Sequence, residues 1–185
     1  MSSGVVDISG VIQSILSSYQ RVLTEYQRQV TGDPGALTSA AQQHTEQAGT
    51  VGAVAGDATS RAQQLATDWH GDAYTAFRTA TTQLSTDLHA VEALLRKESE
   101  RLQGAANALT TAQAGAARVI EWFQQYASIL VDEARTAASG AVNAFFDAAT
   151  QLGESAINAA RAVADQLGGS LSALFGASTV LEGAR

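Results

Sequence analysis

The 185-residue chain contains no cysteine, an absence that removes disulfides, thiolate catalysis and cysteine-ligated zinc together. A single proline, Pro34, leaves little to interrupt helices, and an aromatic content of 6% is low for a β-sandwich or an α/β enzyme core. Positive charge is scarce: 11 Lys and Arg stand against 18 Asp and Glu, a formal net charge of −7, so binding to a phosphate backbone would need a local basic patch. The one candidate, Arg96, Lys97 and Arg101, is interleaved with Glu92, Glu98 and Glu100 and reads as a solvated helix face with i, i+3 and i, i+4 ion pairs. No nucleic-acid partner is expected. No stretch reaches the roughly 20 apolar residues of a membrane span. Residues 1–10 hold neither the basic start nor the apolar stretch of a cleavable secretory signal, so export would require recognition of the folded chain by another route.

What is present is alanine and periodicity. Hydrophobic residues make up 45% of the chain, with alanine a large share, a composition suited to helices that approach closely over short side chains. Residues 9–30 place Ile12, Leu16, Tyr19, Leu23, Tyr26 and Val30 at alternating steps of four and three, the spacing of a helix seam. Gly32 suits a helix end, and Asp33 before Pro34 is an N-cap followed by a first helical residue. The next seam reads Leu37, Ala41, His44, Ala48, Val51, Ala55, Ala58, Ala62, Leu65 and Trp69, a helix about 50 Å long at 1.5 Å per residue. After Trp69-His70-Gly71-Asp72, a third seam runs through Phe77, Thr81, Leu84, Leu88, Val91, Leu95, Glu98, Leu102, Ala105 and Leu109. Two long amphipathic helices joined by so short a connection are antiparallel neighbours.

Beyond residue 111, Gly115 weakens the pattern. A fourth helix is expected around Val119, Ile120, Phe123, Ala127, Leu130 and Ala134, carrying the second tryptophan, Trp122. Ser139-Gly140 offers a break. A fifth segment, from Val142 to Leu167, is expected to end at Gly168-Gly169, ahead of a frayed tail with Leu171, Leu174 and Phe175. The expected fold class is all-α: an elongated helical bundle built on a long antiparallel hairpin. Residues 1–33 form an accessory helix, 34–114 the hairpin, 115–168 C-terminal accessory helices and 169–185 a flexible tail. The first and fourth helices are expected to cover the hairpin's apolar face.

Trp69-His70-Gly71 has a local logic, since a glycine can take the positive φ that closes a helix and the indole can cap the end of a seam. The tripeptide alone is weak. Set between two long, seam-regular helices, and followed by Gly71-Asp72-Ala73-Tyr74-Thr75-Ala76-Phe77, it resembles the WXG superfamily of helical-hairpin substrates of type VII (ESX) secretion systems, over about residues 34–111. That resemblance implies a non-enzymatic, bacterial, virulence-associated interaction protein. It implies export to the envelope or the medium without a cleaved signal, after a cytoplasmic stage, and assembly into a four-helix bundle with a second WXG-type protein or a second copy. Trp69, His70 and Gly71 then mark a partner or export surface, and Leu65, Phe77, Leu84, Leu88, Val91 and Leu95 the hairpin seam.

Two features depart from the family's pattern. The chain has helices beyond one hairpin, and it lacks the export signal the resemblance leads one to seek, a tyrosine followed four residues later by Asp or Glu. Tyr19, Tyr26, Tyr74 and Tyr126 are followed at that spacing by Leu23, Val30, Arg78 and Leu130. The expected partner is therefore a smaller WXG-type protein that carries the signal.

Other chemistry is sparse. His44, His70 and His89 have no second histidine at ligand spacing, so no metal site is expected. Asp132-Glu133 and the Glu98, Glu100 pair read as solvated faces. There is no nucleophile elbow and no phosphate-cradling loop, so neither an enzyme nor a cofactor is expected. The stretch from Ala141 to Phe175 supports an alternative, a membrane-acting or pore-forming effector, although it lacks the basic residues of an interfacial helix.

Overall fold

A computed structural model describes residues 8–136 and 141–176. They form four α-helices and, among the described residues, no strand: α1 (Ile8–Gln29), α2 (Pro34–Leu65), α3 (Asp72–Thr136) and α4 (Val142–Phe175). The fold is an all-α helical bundle. It divides into two compact units, one Asp33–Ala106 and the other the described residues of Met1–Gly32 with Asn107–Arg185.

The first unit is the hairpin of α2 and the opening half of α3. The Asp33 carboxylate accepts from the Ala36 amide at 3.1 Å, capping α2 with Pro34 in its first turn. Ala41, Ala48, Ala55 and Ala62, seven residues apart, are the buried residues of α2. Their short side chains let α3 lie close, and polar rungs tie the helices. Thr45 Oγ1 is 2.8 Å from Ser99 Oγ, Ser99 donates to the Ala41 carbonyl at 2.7 Å, and Thr59 donates to Ser85 at 3.2 Å. A Cβ at Gly52 would sit 2.7 Å from Glu92 Oε2, so this glycine leaves room for a carboxylate between the helices.

In the second unit, α1 and α4 pack on each other and on the closing half of α3. Ile8, Ile12, Leu16 and Leu23 of α1 meet Phe123, Val131 and Ala134 of α3 and Ala149, Ala156 and Ala160 of α4 in one core. A Cβ at buried Gly153 would fall inside the Tyr19 ring, so α1 and α4 approach as closely as they do only with glycine there. Tyr26 Oη accepts from Arg161 Nε at 3.3 Å. The loop after α1 is anchored to α3, where Gln113 Nε2 donates to the Gly32 carbonyl at 3.0 Å.

Three sequence expectations need correction. The expected third and fourth helices are one helix of 65 residues, α3. An isolated glycine costs a helix only about 1 kcal/mol. Ala112 and Ala116 are buried beside Gly115, where Val163 of α4 packs. The last helix runs through Gly168-Gly169 to Phe175, because Leu167 is buried and Leu171 and Leu174 are half-buried, so packing continues past the glycines. Finally, the hairpin's apolar face, expected under cover, keeps Phe77, Leu84 and Val91 exposed, and α1 and the Phe123 region bury their own apolar residues in a core with α4. The expected break at Ser139-Gly140 and the tail from residue 177 lie outside the described residues.

Candidate partner-docking face

The rungs of the hairpin fix which way every other side chain points. Thr45, Gly52 and Thr59 face Ser99, Glu92 and Ser85, spaced by seven on both helices. Because the helices are antiparallel, the residue just before each rung turns to the same side of the hairpin on both. On α2 these are His44, Val51 and Ala58, in a row continued by Leu37 and Leu65. On α3 they are Leu84, Val91 and Glu98, continued by Phe77. Val54 and Leu94 lie one turn on, along the outer rim of the same side.

This side is apolar and uncovered. Leu65 is 42% exposed, Phe77 36%, Leu84 51%, Val91 44% and Leu94 62%. Leu88 and Leu95 are half-buried beneath them, closing the hairpin against the alanine row. The opposite side carries Gln42, Gly49, Gly56 and Gln63 with Thr82, His89, Arg96 and Gln103. There Glu92 Oε1 accepts from Arg96 at 2.8 Å, and His89 Nδ1 lies 3.2 Å from Glu92 Oε2. The Arg96 hydrogen bond, then that of His89, holds the Glu92 carboxyl below the usual carboxylate range against a smaller opposing effect of burial. One side is thus solvated and ion-paired, while the other is mostly apolar from Val51 and Val91 to the turn, with His44 and the Arg101-paired Glu98 beyond, an exposed row of a kind that marks interaction surfaces.

The turn closes the end of this strip. The Trp69 amide donates to the Leu65 carbonyl at 2.9 Å, continuing the turn beyond α2. Gly71 has φ +94°, where a side chain would be strained, and its carbonyl accepts from the Thr75 amide at 3.1 Å to begin α3. Trp69 packs edge-on to Tyr74 at 5.9 Å and tilted on Phe77 at 5.4 Å, while Tyr74 Oη donates to the Ala62 carbonyl. Trp69 is nevertheless 39% exposed. It therefore extends the apolar strip with an aromatic cluster, where the sequence suggested a buried cap. His70 is exposed in the turn.

Of the residues singled out from sequence, Leu65, Trp69, Phe77, Leu84 and Val91 come together on one exposed face, while Leu88 and Leu95 serve the contact between the helices. Val54 and Leu94 were missed. Each lies three residues beyond a seam residue, Val51 or Val91, and that i, i+3 relation is the signal that could have found them. His44 interrupts the α2 row, and its Nδ1 is buried without a hydrogen-bond partner. Among the described residues no group of three or more His, Asp and Glu could hold a metal ion, and no helix is long and apolar enough to cross a membrane.

The hairpin thus has one solvated, ion-paired side and one side with exposed apolar residues. The sequence model of the family described as "Proteins of 100 residues with WXG" matches residues 29–114, so this segment of the chain is similar to the WXG superfamily. The family is associated with type VII secretion substrates and helical-hairpin interactions. Its members are non-enzymatic secreted helical proteins that typically form heterodimers or homodimers with other WXG proteins. No curated protein and no solved structure matches the chain.

Proposed function

We propose that this chain is a type VII secretion substrate, or a secretion-associated partner, that binds a second WXG-type hairpin through the apolar side of residues 33–106. The observation carrying this reading is the row Phe77, Leu84, Val91 and Leu94 with Leu65 and Trp69, uncovered beside a hairpin already closed by its alanines. A second hairpin laid on that side would complete a four-helix bundle with its core at this row. The partner is a smaller hairpin protein carrying the tyrosine-acid signal absent from these 185 residues, so the pair is exported together. The C-terminal helices support packing over membrane action, because α4 turns Asn143, Asp147, Gln151, Glu154, Asn158, Arg161 and Asp165 to solvent.

Co-expression with hairpin proteins encoded nearby, followed by affinity capture, tests the reading. Leu84→Glu on the apolar side should abolish capture, and Thr82→Glu, on the same helix but the solvated side, should preserve it. Equal capture by both variants would overturn the docking face.

A further inference from the structure

A second exposed stripe lies in the other unit, on the closing half of α3. Trp122 is 37% exposed, Tyr126 50% and Ile129 45%, and the Trp122 and Tyr126 rings pack tilted with centroids 5.6 Å apart. Their spacing of four and three places them on one helix face beside Phe123, which points into the core. Arg118 and Glu133 lie at the two ends of the same stripe, both exposed and, among the described residues, neither in an ion pair. Of the neighbouring charges, Arg135 pairs with Asp132 at 2.9 Å, and Glu121 lies exposed at the edge of the stripe beside Trp122.

The order along the stripe reads the same as its complement in reverse. Laid antiparallel on a second copy, Arg118 falls opposite Glu133, Trp122 opposite Ile129 and Gln125 opposite Tyr126, and two-fold symmetry repeats each pairing. A parallel arrangement would stack Arg118 on Arg118 and Glu133 on Glu133. The two charges are 15 residues apart, about 22 Å along the helix, so both ion pairs form together only in this register.

We infer that this stripe is a self-association surface, an antiparallel contact between the α3 helices of two copies centred between Gln125 and Tyr126. Its residues are distinct from those of the hairpin's apolar side. Three apolar side chains from each copy make a small interface, and the contact is a weak one whose register is set by charge.

Sedimentation equilibrium of the full chain at low ionic strength, with charge-reversed variants, tests the inference. The chain should show a monomer–dimer equilibrium. Trp122→Ala should weaken it by about 30-fold, as for a central aromatic anchor. Arg118→Glu and Glu133→Arg should each weaken it by about tenfold, through loss of two ion pairs and addition of like-charge contacts. The doubly reversed variant, R118E with E133R, should return to within about threefold of the unaltered chain, because the pairs reform in trans. A chain monomeric up to about 1 mM would overturn the inference, as would a double variant no better than the singles. Dimerisation insensitive to these changes but lost with Leu84→Glu would place self-association on the hairpin, overturning this inference and leaving the docking face intact. A monomer whose Trp122 emission shifts blue with phosphatidylglycerol vesicles would instead assign the stripe to a membrane surface.

Discussion

The two halves of α3 are one continuous helix with two different surroundings. Its closing half packs one face against α1 and α4, with Phe123 1% exposed and Val131 and Ala134 buried in their shared core, while Trp122, Tyr126 and Ile129 on another face are exposed. Its opening half pairs with α2, and Phe77, Leu84, Val91 and Leu94 are exposed. Both halves present apolar residues at seam spacing, so local helix chemistry cannot explain the difference. What differs is cover within each unit: among the described residues, α1 and α4 pack on the closing half and α2 on the opening half. The uncovered half is where a second protein gains most by docking, since apolar area removed from water contributes about 25 cal/mol per Å².

The largest break in this comparison should come from truncating one residue in each half. Phe123→Ala should destabilise the free chain by about 3–5 kcal/mol in chemical denaturation, whereas Leu84→Ala should change stability by no more than about 0.5 kcal/mol. Equal losses would mean the two halves are not differently covered. A finer test addresses how α1 is held over the closing half. Gly153→Ala drives a methyl into the Tyr19 ring and should cost about 1–3 kcal/mol through overpacking, despite alanine's better helix propensity. If thermal unfolding showed no loss, α1 would have room to move on α4. On the hairpin, Asp33→Ala removes the α2 cap and should cost about 1 kcal/mol, readable in the same assay.

The smallest effect is electrostatic. The Glu92 carboxyl is held below its ordinary range by Arg96 and His89, so its contribution is present above the ordinary carboxylate pKa and is lost as pH falls through the lowered folded value. Glu92→Gln should therefore lower stability slightly near neutral pH and flatten the acid limb, its profile converging with that of the unaltered chain at low pH. A profile of unaltered slope would show that the His89, Glu92 and Arg96 cluster contributes nothing measurable, the common outcome for exposed pairs.

Much of the fold was legible because helices announce themselves through periodicity and caps. Asp33-Pro34 marked the start of α2, and Gly71 the turn into α3. The seam of α2 was legible as one line but is two rows in space: Ala41, Ala48, Ala55 and Ala62 close the hairpin, while Leu37, His44, Val51, Ala58 and Leu65 face outward. A four-three pattern cannot separate these rows, because residues on both sides of a helix contact obey it. The continuity of α3 was hidden by Gly115, whose cost is offset by packing that only the fold reveals. The exposure of Trp69 was hidden for a related reason. Sequence places an indole at the end of a seam but does not say whether another helix covers it. The Trp122 stripe was seen only as a second tryptophan, since its meaning depends on knowing that Phe123 takes the inward position.

The account stands most directly on the Leu84 face. With a captured hairpin partner in hand, isothermal titration of the Leu84→Ala chain should show affinity reduced by about tenfold or more, as expected for truncation at the centre of an interface, with the free chain's denaturation midpoint unchanged. Unchanged affinity, or a midpoint that falls in step with it, would contradict the claim that this face is left open for a second protein.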